Sequence, residues 1–349
     1  MMGNWAHRIL TGLLLAVCLQ NCAPSMDVSE LERVYCYLAA REGRGVDVVI
    51  MGDGFSRSDI QNGSYGRAME EAAEALLTVQ PYRRYRDYFN VYVVEAVSEE
   101  SGISDLETTR RTRFGVRYTG SVRETGMQVV QEDLCFSYAR RAPVRVEQTL
   151  IVMVANSARY GGTCHMWSSG KAIAICPLSR EENPHDFAAI VQHEAGGHGF
   201  ARLGDEYIST EERITMQEMG RVYQWQQRGY YSNISLTGDV QQVPWNVFTG
   251  RPGYEDVGAF EGAYTFLKGV WRSEHLSCMV NNIAYYNAPS RLAIVQRITS
   301  LSGEKFSWER FWAEDAADAQ SMPPRAESAF AAAVEQKAFL PLAPPILRD

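Results

Sequence analysis

The sequence has no apolar run long enough to cross a membrane, no excess of basic residues and no internal repeat. The apolar run at residues 9–19, directly behind Arg8, is too short for a membrane span. Acidic side chains number 42 against 34 basic ones, and the formal net charge is −8. No nucleic-acid partner is therefore expected. Beyond residue 22 there is no C-x-x-C pair, which argues against a structural zinc held by cysteines.

The run at residues 9–19 has the length of a signal-peptide core, so residues 1–22 are predicted to direct export. Cys22, or as the alternative Cys18, stands where a bacterial lipoprotein signal places its lipidated cysteine. We therefore expect a protein of the periplasm, outer membrane or cell surface, with attachment to the membrane through a lipidated N-terminal cysteine. The alternative is an N-terminal core helix. Polar, turn-forming residues follow the run at once and argue against that alternative.

Five cysteines remain after the leader, and in an exported protein pairs among them are plausible disulfides. Cys164 and Cys176 flank a segment that is typical of a hairpin tip between two apolar strands, so this pair is the predicted disulfide. The odd number leaves at least one thiol free.

The most informative motif is His193-Glu194-Ala195-Gly196-Gly197-His198. Imidazole nitrogens bind zinc, and a glutamate beside the metal is a suitable general base. The two histidines are five positions apart, which on a regular helix turns them about 140° away from each other. A single π-type turn absorbs one extra residue and would return them to one face. The Gly196-Gly197 pair provides a backbone that tolerates such a turn.

The alternative for this motif is an ordinary helix with one imidazole buried and the other solvated. Its surroundings favour the metal site. Residues 187–192 are typical of a buried helix, and residues 183–186 offer turn and capping residues before it. Each glycine in the middle of a helix costs about 1 kcal/mol relative to alanine. Close approach of the backbone to another group at a metal site would explain that choice.

The stretch from His193 to Tyr207 resembles the active-site signature of the bacterial IgA-peptidase-type zinc metallopeptidases, metallopeptidase family sixty-four. Residues 48–55 resemble the opening strand of that family and its Gly-Asp-Gly-aromatic turn. Supporting blocks lie between residues 81 and 103, at 156–162 and at 271–279, and the similarity covers roughly residues 45–300. Many members carry a β-rich domain ahead of the catalytic one, and none is expected here.

The resemblance implies an α/β (α+β) metzincin-like catalytic domain with a twisted mixed sheet and an active-site helix. We assign it residues 30–320, and residues 321–349 are predicted to be a C-terminal tail. The apolar residues, 46% of the chain, suffice for a sizeable core. Apolar patterning predicts strands at 46–51, 89–96, 150–154 and 172–175, helices near 65–79 and 126–140, a final helix near 292–300, a loop or extended insert at 105–125, and few elements in 208–270.

The same resemblance implies Zn²⁺ held by His193, His198 and a third ligand, for which Asp205 is preferred. A carboxylate can replace histidine as a hard oxygen ligand. Glu206 is adjacent and stays open, and both acids could instead be solvated or capping charges. His275 and His165 are the reserve ligands: His275 is the better one because it is near Met279 in sequence.

Three further roles follow from the family pattern. Glu194 is the expected general base, which accepts a proton from water and passes it to the leaving amine. Met279 would form an apolar floor beneath the metal, although a methionine in an apolar run is commonly plain core. Tyr286, or else Tyr285, would donate a hydrogen bond to the developing oxyanion.

These assignments predict an exported zinc-dependent metallopeptidase that hydrolyses peptide bonds of protein or peptide substrates. The strand at 172–176 would receive an extended substrate by edge addition. A catalytically inactive surface-binding protein on the same fold is the alternative, and its best argument is the five-residue histidine spacing. An esterase or amidase that uses the same zinc is a second alternative. No motif in the sequence identifies the peptide that is cleaved or the oligomeric state.

Overall fold

The computed structural model describes residues 32–121, 123–319 and 339–349. The predicted leader, including Cys18 and Cys22, lies outside these residues, as does the part of the predicted tail up to residue 338. No helix in the described part of the chain combines the length and apolar character that crossing a membrane requires.

The strands fall into three sheets. They are β1 (Val34–Leu38), β2 (Val46–Asp53), β3 (Phe89–Val94), β4 (Arg117–Tyr118), β5 (Met127–Gln128), β6 (Leu150–Ala155), β7 (Thr163–Trp167), β8 (Ala172–Pro177), β9 (Ile208–Arg213), β10 (Ile234–Ser235), β11 (Phe260–Ala263), β12 (Thr265–Arg272) and β13 (Ile346–Arg348). The main sheet has the order β1-β3-β2-β6-β8-β7-β13, β9 to β12 form a second sheet, and β4 pairs with β5.

The helices are α1 (Arg57–Gln61), α2 (Ser64–Leu77), α3 (Glu132–Ala139), α4 (Phe187–Ile190), α5 (Met216–Gln227), α6 (Cys278–Asn281), α7 (Ala288–Ser302) and α8 (Trp308–Ala319). A π-helix, Val191–Phe200, continues α4 without a break, and residues 187–200 together are called the active-site helix. Asp186 begins it by accepting a hydrogen bond from the Ala189 amide at 2.8 Å.

The main sheet is buried on both faces, which explains why its central strands are almost continuously apolar. Val48 and Ile50 of β2 belong to one hydrophobic cluster, with α2, the active-site helix and α7. Val49 and Met51 alternate with them and belong to the cluster on the opposite face, with α3. Strands β2, β3, β6 and β8 run parallel, and β1 and β7 pair antiparallel with β3 and β8. The predicted α/β fold with a twisted mixed sheet is confirmed, while the closer likeness to metzincins stays a prediction.

The predicted strands at 46–51, 89–96, 150–154 and 172–175 and the helices near 65–79 and 292–300 are present, with small differences at their ends. The predicted helix at 126–140 begins only at Glu132, because Met127 and Gln128 pair with the end of the 105–125 insert. Residues 208–270 hold more structure than predicted, including α5. Only Val222 and Trp225 of α5 are buried, so its apolar periodicity is weak.

The C-terminal part of the chain also differs from the prediction. Helix α8 follows the helix that was expected to be the last one. Residues 346–348 are not tail, because β13 pairs with β7 as the outermost strand of the main sheet. Strand β8 lies between β6 and β7, so its backbone groups are already paired and it cannot receive a substrate by edge addition.

The predicted disulfide does not form. Cys164 and Cys176 are both free, as are the other cysteines in the described residues. The register of β7 against β8 places Cys164 opposite Ala174, two residues short of Cys176. Both thiols are buried, and this burial raises their pKa well above the usual range.

Candidate metal centre

The active-site helix brings its two histidines together through a π-helical turn. Residues 191–200 form the π-helix, and the Ala201 amide donates to the Gly196 carbonyl, five residues back, at 3.1 Å. The imidazole rings of His193 and His198 consequently lie 4.8 Å apart, centroid to centroid. The additional residue between the histidines is thus absorbed as the sequence predicts.

Two glycines permit close packing on this helix. A Cβ at Gly197 would overlap the sulfur of Met279, and a Cβ at Gly196 would overlap the hydroxyl of Tyr286. Neither glycine has a left-handed backbone, so steric space rather than conformational freedom requires glycine here. The helix can therefore lie directly against α6, Cys278–Asn281, which is called the Met279 turn below.

His193, His198 and Asp205 converge on one point. Asp205 Oδ1 lies 3.1 Å from His193 Nε2 and 3.2 Å from His198 Nε2. One donor atom from each residue lies within 4.8 Å of the others, and all three side chains are buried. His198 Nε2, although close to Asp205, makes no hydrogen bond with any described residue. Two imidazole nitrogens and a carboxylate oxygen form a donor set that suits a transition-metal ion.

Backbone carbonyls fix the orientation of both imidazoles. His193 Nδ1 lies 3.0 Å from the Cys278 carbonyl oxygen, and His198 Nδ1 lies 2.8 Å from that of Leu203. Because a carbonyl can only accept, Nδ1 is the donor in each ring. Nε2 is then free to bind a metal, which is the usual support for a ligating histidine.

The charges in the cluster are strongly coupled. Burial alone would raise the pKa of Asp205, but the two histidines outweigh it and lower that pKa. Burial alone would lower the pKa of His198, but Asp205 outweighs it and raises that pKa to about 9. Burial lowers the pKa of His193, so His198 carries the proton that offsets the charge of Asp205, and a bound cation would replace that proton.

Glu194 is fully buried, and neither of its carboxylate oxygens has a hydrogen-bond partner among the described residues. Its side chain lies beside Gly162, just ahead of β7. Burial raises its pKa to about 8. A buried acid without a partner is costly, which indicates that something binds at this position in the complete site.

Glu206 points away from the cluster, although it is next to Asp205 in the chain. Its carboxylate accepts hydrogen bonds from Asn287 and Asn233, at 2.8 and 2.9 Å, and from the Ser277 hydroxyl. Asp205 and Glu206 are 2% and 0% exposed, so neither is a solvated charge. Glu206 instead joins the active-site region to α7 and the Met279 turn.

The reserve ligands lie elsewhere. His275 packs against the ring of Phe260, with 3.9 Å between the ring centroids. His165 lies on β7, one residue after Cys164, and therefore faces the opposite side of the sheet from the active-site helix. Its Nδ1 is 2.7 Å from Glu132 Oε1.

Met279 and the two tyrosines surround the helix in different ways. Met279 is buried in α6, and its carbonyl accepts a hydrogen bond from the Glu206 amide at 2.8 Å. The Tyr286 hydroxyl donates to the Gln192 carbonyl at 2.5 Å, and the Tyr285 hydroxyl donates to Glu274 at 2.6 Å. Both phenols are thus engaged away from the three-residue cluster, and the geometry does not support the predicted oxyanion role of Tyr286.

Two other tyrosines border the site and were not selected from the sequence. Burial, and then the carboxylates of Asp205 and Glu194, raise the pKa of Tyr207. Burial, and then Glu194, raise the pKa of Tyr160, whose hydroxyl accepts a hydrogen bond from Asn282 Nδ2 at 2.9 Å. Tyr207 closes the motif that begins at His193, which is the one sequence signal that could have identified it.

Comparison with known proteins gives one family. The model of the family described as IgA Peptidase M64 matches residues 39–252, which is more than half of the chain. The matched residues include the active-site helix, Asp205 and Tyr207. No curated protein matches the chain.

Proposed function

Because this chain belongs to the IgA peptidase M64 family, we propose that it is an exported, zinc-dependent metallopeptidase that hydrolyses peptide bonds in protein or peptide substrates. The family makes the chain a peptidase. The observation that carries the finer proposal is the buried convergence of His193, His198 and Asp205 beside the unpartnered carboxylate of Glu194.

His193, His198 and Asp205 would hold the zinc ion. The Nε2 atoms that the Cys278 and Leu203 carbonyls leave free, together with Asp205 Oδ1, make the three-ligand set typical of a catalytic zinc site. When bound, zinc supplies Lewis-acid chemistry: it acidifies a coordinated water and polarises the scissile carbonyl.

Glu194 would act as the general base and then return the proton to the leaving amine. Burial raises the pKa of this carboxyl to about 8, and a neighbouring cation favours its charged form. These opposing effects bring the pKa of the carboxyl close to neutral pH, which is the range in which a general base works best. A protein that only binds its partner has no use for a general base. The five-residue separation of His193 and His198 no longer argues for an inactive protein, because the π-helical turn accommodates it.

Export and lipid attachment are part of the proposal, and they are inferred from the sequence of residues 1–22. We expect the mature protein to begin at or near Cys22. Mass spectrometry of native, membrane-associated protein tests this expectation. Intact residues 1–15 in that material would exclude signal cleavage.

The proposal is tested by metal analysis of the mature protein and by digestion of casein or a peptide library. We expect about one zinc per chain, cleavage that a chelator abolishes, and recovery when zinc is added back. A zinc-loaded protein that cleaves ester or simple amide substrates and no peptide would identify the esterase or amidase alternative. If the zinc-loaded protein hydrolyses none of these substrates, either at full length or after removal of residues 339–349, the result would favour a binding protein.

A further inference from the structure

We propose that the segment Phe339–Asp349, called here the C-terminal plug, lies across the candidate active site and keeps polypeptides out until it is displaced. The inference rests on the proposed function in one point: that the molecules kept out are polypeptide substrates. The chain would then be a latent enzyme, with its own strand in the place where a substrate would bind.

In the described main sheet, the plug lies along the outer edge of β7. Ile346, Leu347 and Arg348 pair in parallel with β7, opposite His165, Met166 and Trp167. The Ser168 amide donates to the Arg348 carbonyl at 2.9 Å. Farther back along the plug, the Thr125 hydroxyl donates to the Pro341 carbonyl, and the Thr125 carbonyl accepts from the Gly162 amide at 3.0 Å. Gly162 is the residue against which the Glu194 side chain packs.

Three consecutive carbonyl oxygens of the plug are bound by three side chains from separate parts of the chain. The carbonyl of Leu340 accepts from Tyr160 at 3.0 Å, that of Pro341 from Thr125 at 3.0 Å, and that of Leu342 from Tyr207 at 2.7 Å. Hydroxyl groups that bind successive carbonyls recognise an extended backbone rather than a particular sequence. This groove is therefore able to hold a peptide strand.

Each of these side chains belongs to the immediate surroundings of the candidate metal centre. Tyr207 is two residues after Asp205 in the chain, and its side chain is buried. Tyr160 is hydrogen-bonded to Asn282, which ends the α6 turn that carries Met279. The Thr125 carbonyl accepts from the Gly162 amide at 3.0 Å. The plug is thus linked through Tyr207 to the segment that carries Asp205, through Tyr160 and Asn282 to the Met279 turn, and through Thr125 to Gly162.

The burial of the site is consistent with a closed state. With the plug in place Glu194 and His198 are 0% exposed, and Leu342 is 1% exposed within the main hydrophobic cluster. A polypeptide cannot reach a general base that has no accessible surface. At its other end the plug is held by an ion pair between Arg348 and Glu132, 2.9 Å long and partly exposed to solvent. Exposed pairs of this kind contribute little to stability, so this end is held mainly by the backbone pairing of β13 with β7.

The test compares full-length protein with a variant that ends at residue 338 and with Leu342→Ala, which removes the buried side chain of the plug. Leu77→Ala is the matched control, because Leu77 is equally buried but lies at the end of α2. All four are loaded with zinc. Two rates are measured: cleavage of a peptide library, and removal of zinc by an excess of a chromogenic chelator.

If the open state is populated at about 1–10%, removal of the plug should accelerate both cleavage and zinc extraction by about 10- to 100-fold. Leu342→Ala should accelerate both less strongly, and Leu77→Ala should leave both rates near those of the parent. A synthetic peptide of residues 339–349, added to the truncated protein, should bind and slow both processes again.

Folded Leu342→Ala and truncated proteins with unchanged extraction and cleavage rates would overturn the proposal, and so would a peptide that does not bind the truncated protein. If truncation prevents folding, the comparison of Leu342→Ala with Leu77→Ala decides whether the plug restricts access to the site. Faster extraction and peptide binding without cleavage by any variant would support the plug and contradict the peptidase proposal, so the two can fail separately.

Discussion

At the level of single residues, the candidate site depends on which nitrogen of each imidazole is free. The Cys278 and Leu203 carbonyls engage Nδ1 of His193 and His198, so both Nε2 atoms face Asp205. Glu194 lies in the same buried region without a hydrogen-bond partner among the described residues. The proposed ligands and the proposed base are thus separate side chains, and each can be replaced without the other.

Glu194→Gln should separate chemistry from metal binding. The amide retains the shape of the side chain but cannot accept a proton, and loss of a general base lowers the rate by about 10²–10⁴-fold. We expect zinc content and the circular dichroism spectrum to be unchanged while peptide hydrolysis falls by at least about two orders of magnitude. Hydrolysis at the parent rate would show that another group acts as the base.

Asp205→Ala should abolish stoichiometric zinc binding, because it removes the only carboxylate oxygen of the described three-residue cluster. Glu206→Gln is the matched control: this adjacent acid is held by Asn287, Asn233 and Ser277, away from the cluster. Zinc per folded chain, measured after dialysis, should drop in the first variant and persist in the second. The reverse result would make Glu206 the ligand.

At the level of elements, the active-site helix combines an unfavourable backbone with close packing. Its π-helical turn places the two histidines on one face, and its glycines admit Met279 and Tyr286 against the backbone. The packing of α6 against this helix is therefore a condition for the geometry of the site. It also explains the glycines that helix propensity alone disfavours.

Gly197→Ala should destabilise the protein, because its methyl group would overlap the Met279 sulfur. Overpacking of this kind costs about 1–3 kcal/mol. Gly220→Ala is the control, since Gly220 lies within α5 and a Cβ there meets no atom within 4 Å. It should stabilise the protein by up to about 1 kcal/mol. Urea denaturation of the metal-free proteins gives both values, and equal effects would contradict the packing argument.

At the level of the whole molecule, a buried ion pair joins the two C-terminal helices, and a hydrogen bond attaches the first of them to the candidate site. Arg291 of α7 and Asp315 of α8 form a buried pair, with 2.6 Å between Nε and Oδ1. Asp315 also accepts a hydrogen bond from Tyr254 at 2.7 Å. Helix α7 begins at Asn287, which binds Glu206. Helix α8 is thereby connected to the active-site region through two successive polar contacts.

Asp315→Asn should destabilise the protein strongly, because it removes the carboxylate that pairs with the buried guanidinium of Arg291. Breaking a buried pair in this way costs about 3–5 kcal/mol. Glu218→Gln, which breaks the exposed Glu218–Arg221 pair on α5, is the control and should change stability by less than about 1 kcal/mol. Chemical denaturation measures both, and similar values for the two variants would show that the Arg291–Asp315 pair is not critical.

The local sequence determined the features that depend on neighbouring residues. Continuous apolar runs at 46–51 and 150–154 predicted the central strands, which are buried on both faces. The spacing of His193 and His198 around two glycines predicted a π-helical turn, because a five-residue separation can share one face only if the helix absorbs a residue. The grouping of these histidines with Asp205 was likewise expected.

Tertiary structure decided what depends on partners far away in the chain. The choice between Asp205 and Glu206 is made by Asn233, Ser277 and Asn287, which bind one carboxylate and leave the other with the histidines. Strand β8 was expected at an edge, but β7 and β13 lie beyond it. The last residues were expected to be a tail, but residues 346–348 form the outermost strand of the main sheet. Such pairings leave no local period in the sequence, because the partners of a backbone edge or a buried acid are fixed only when the chain folds.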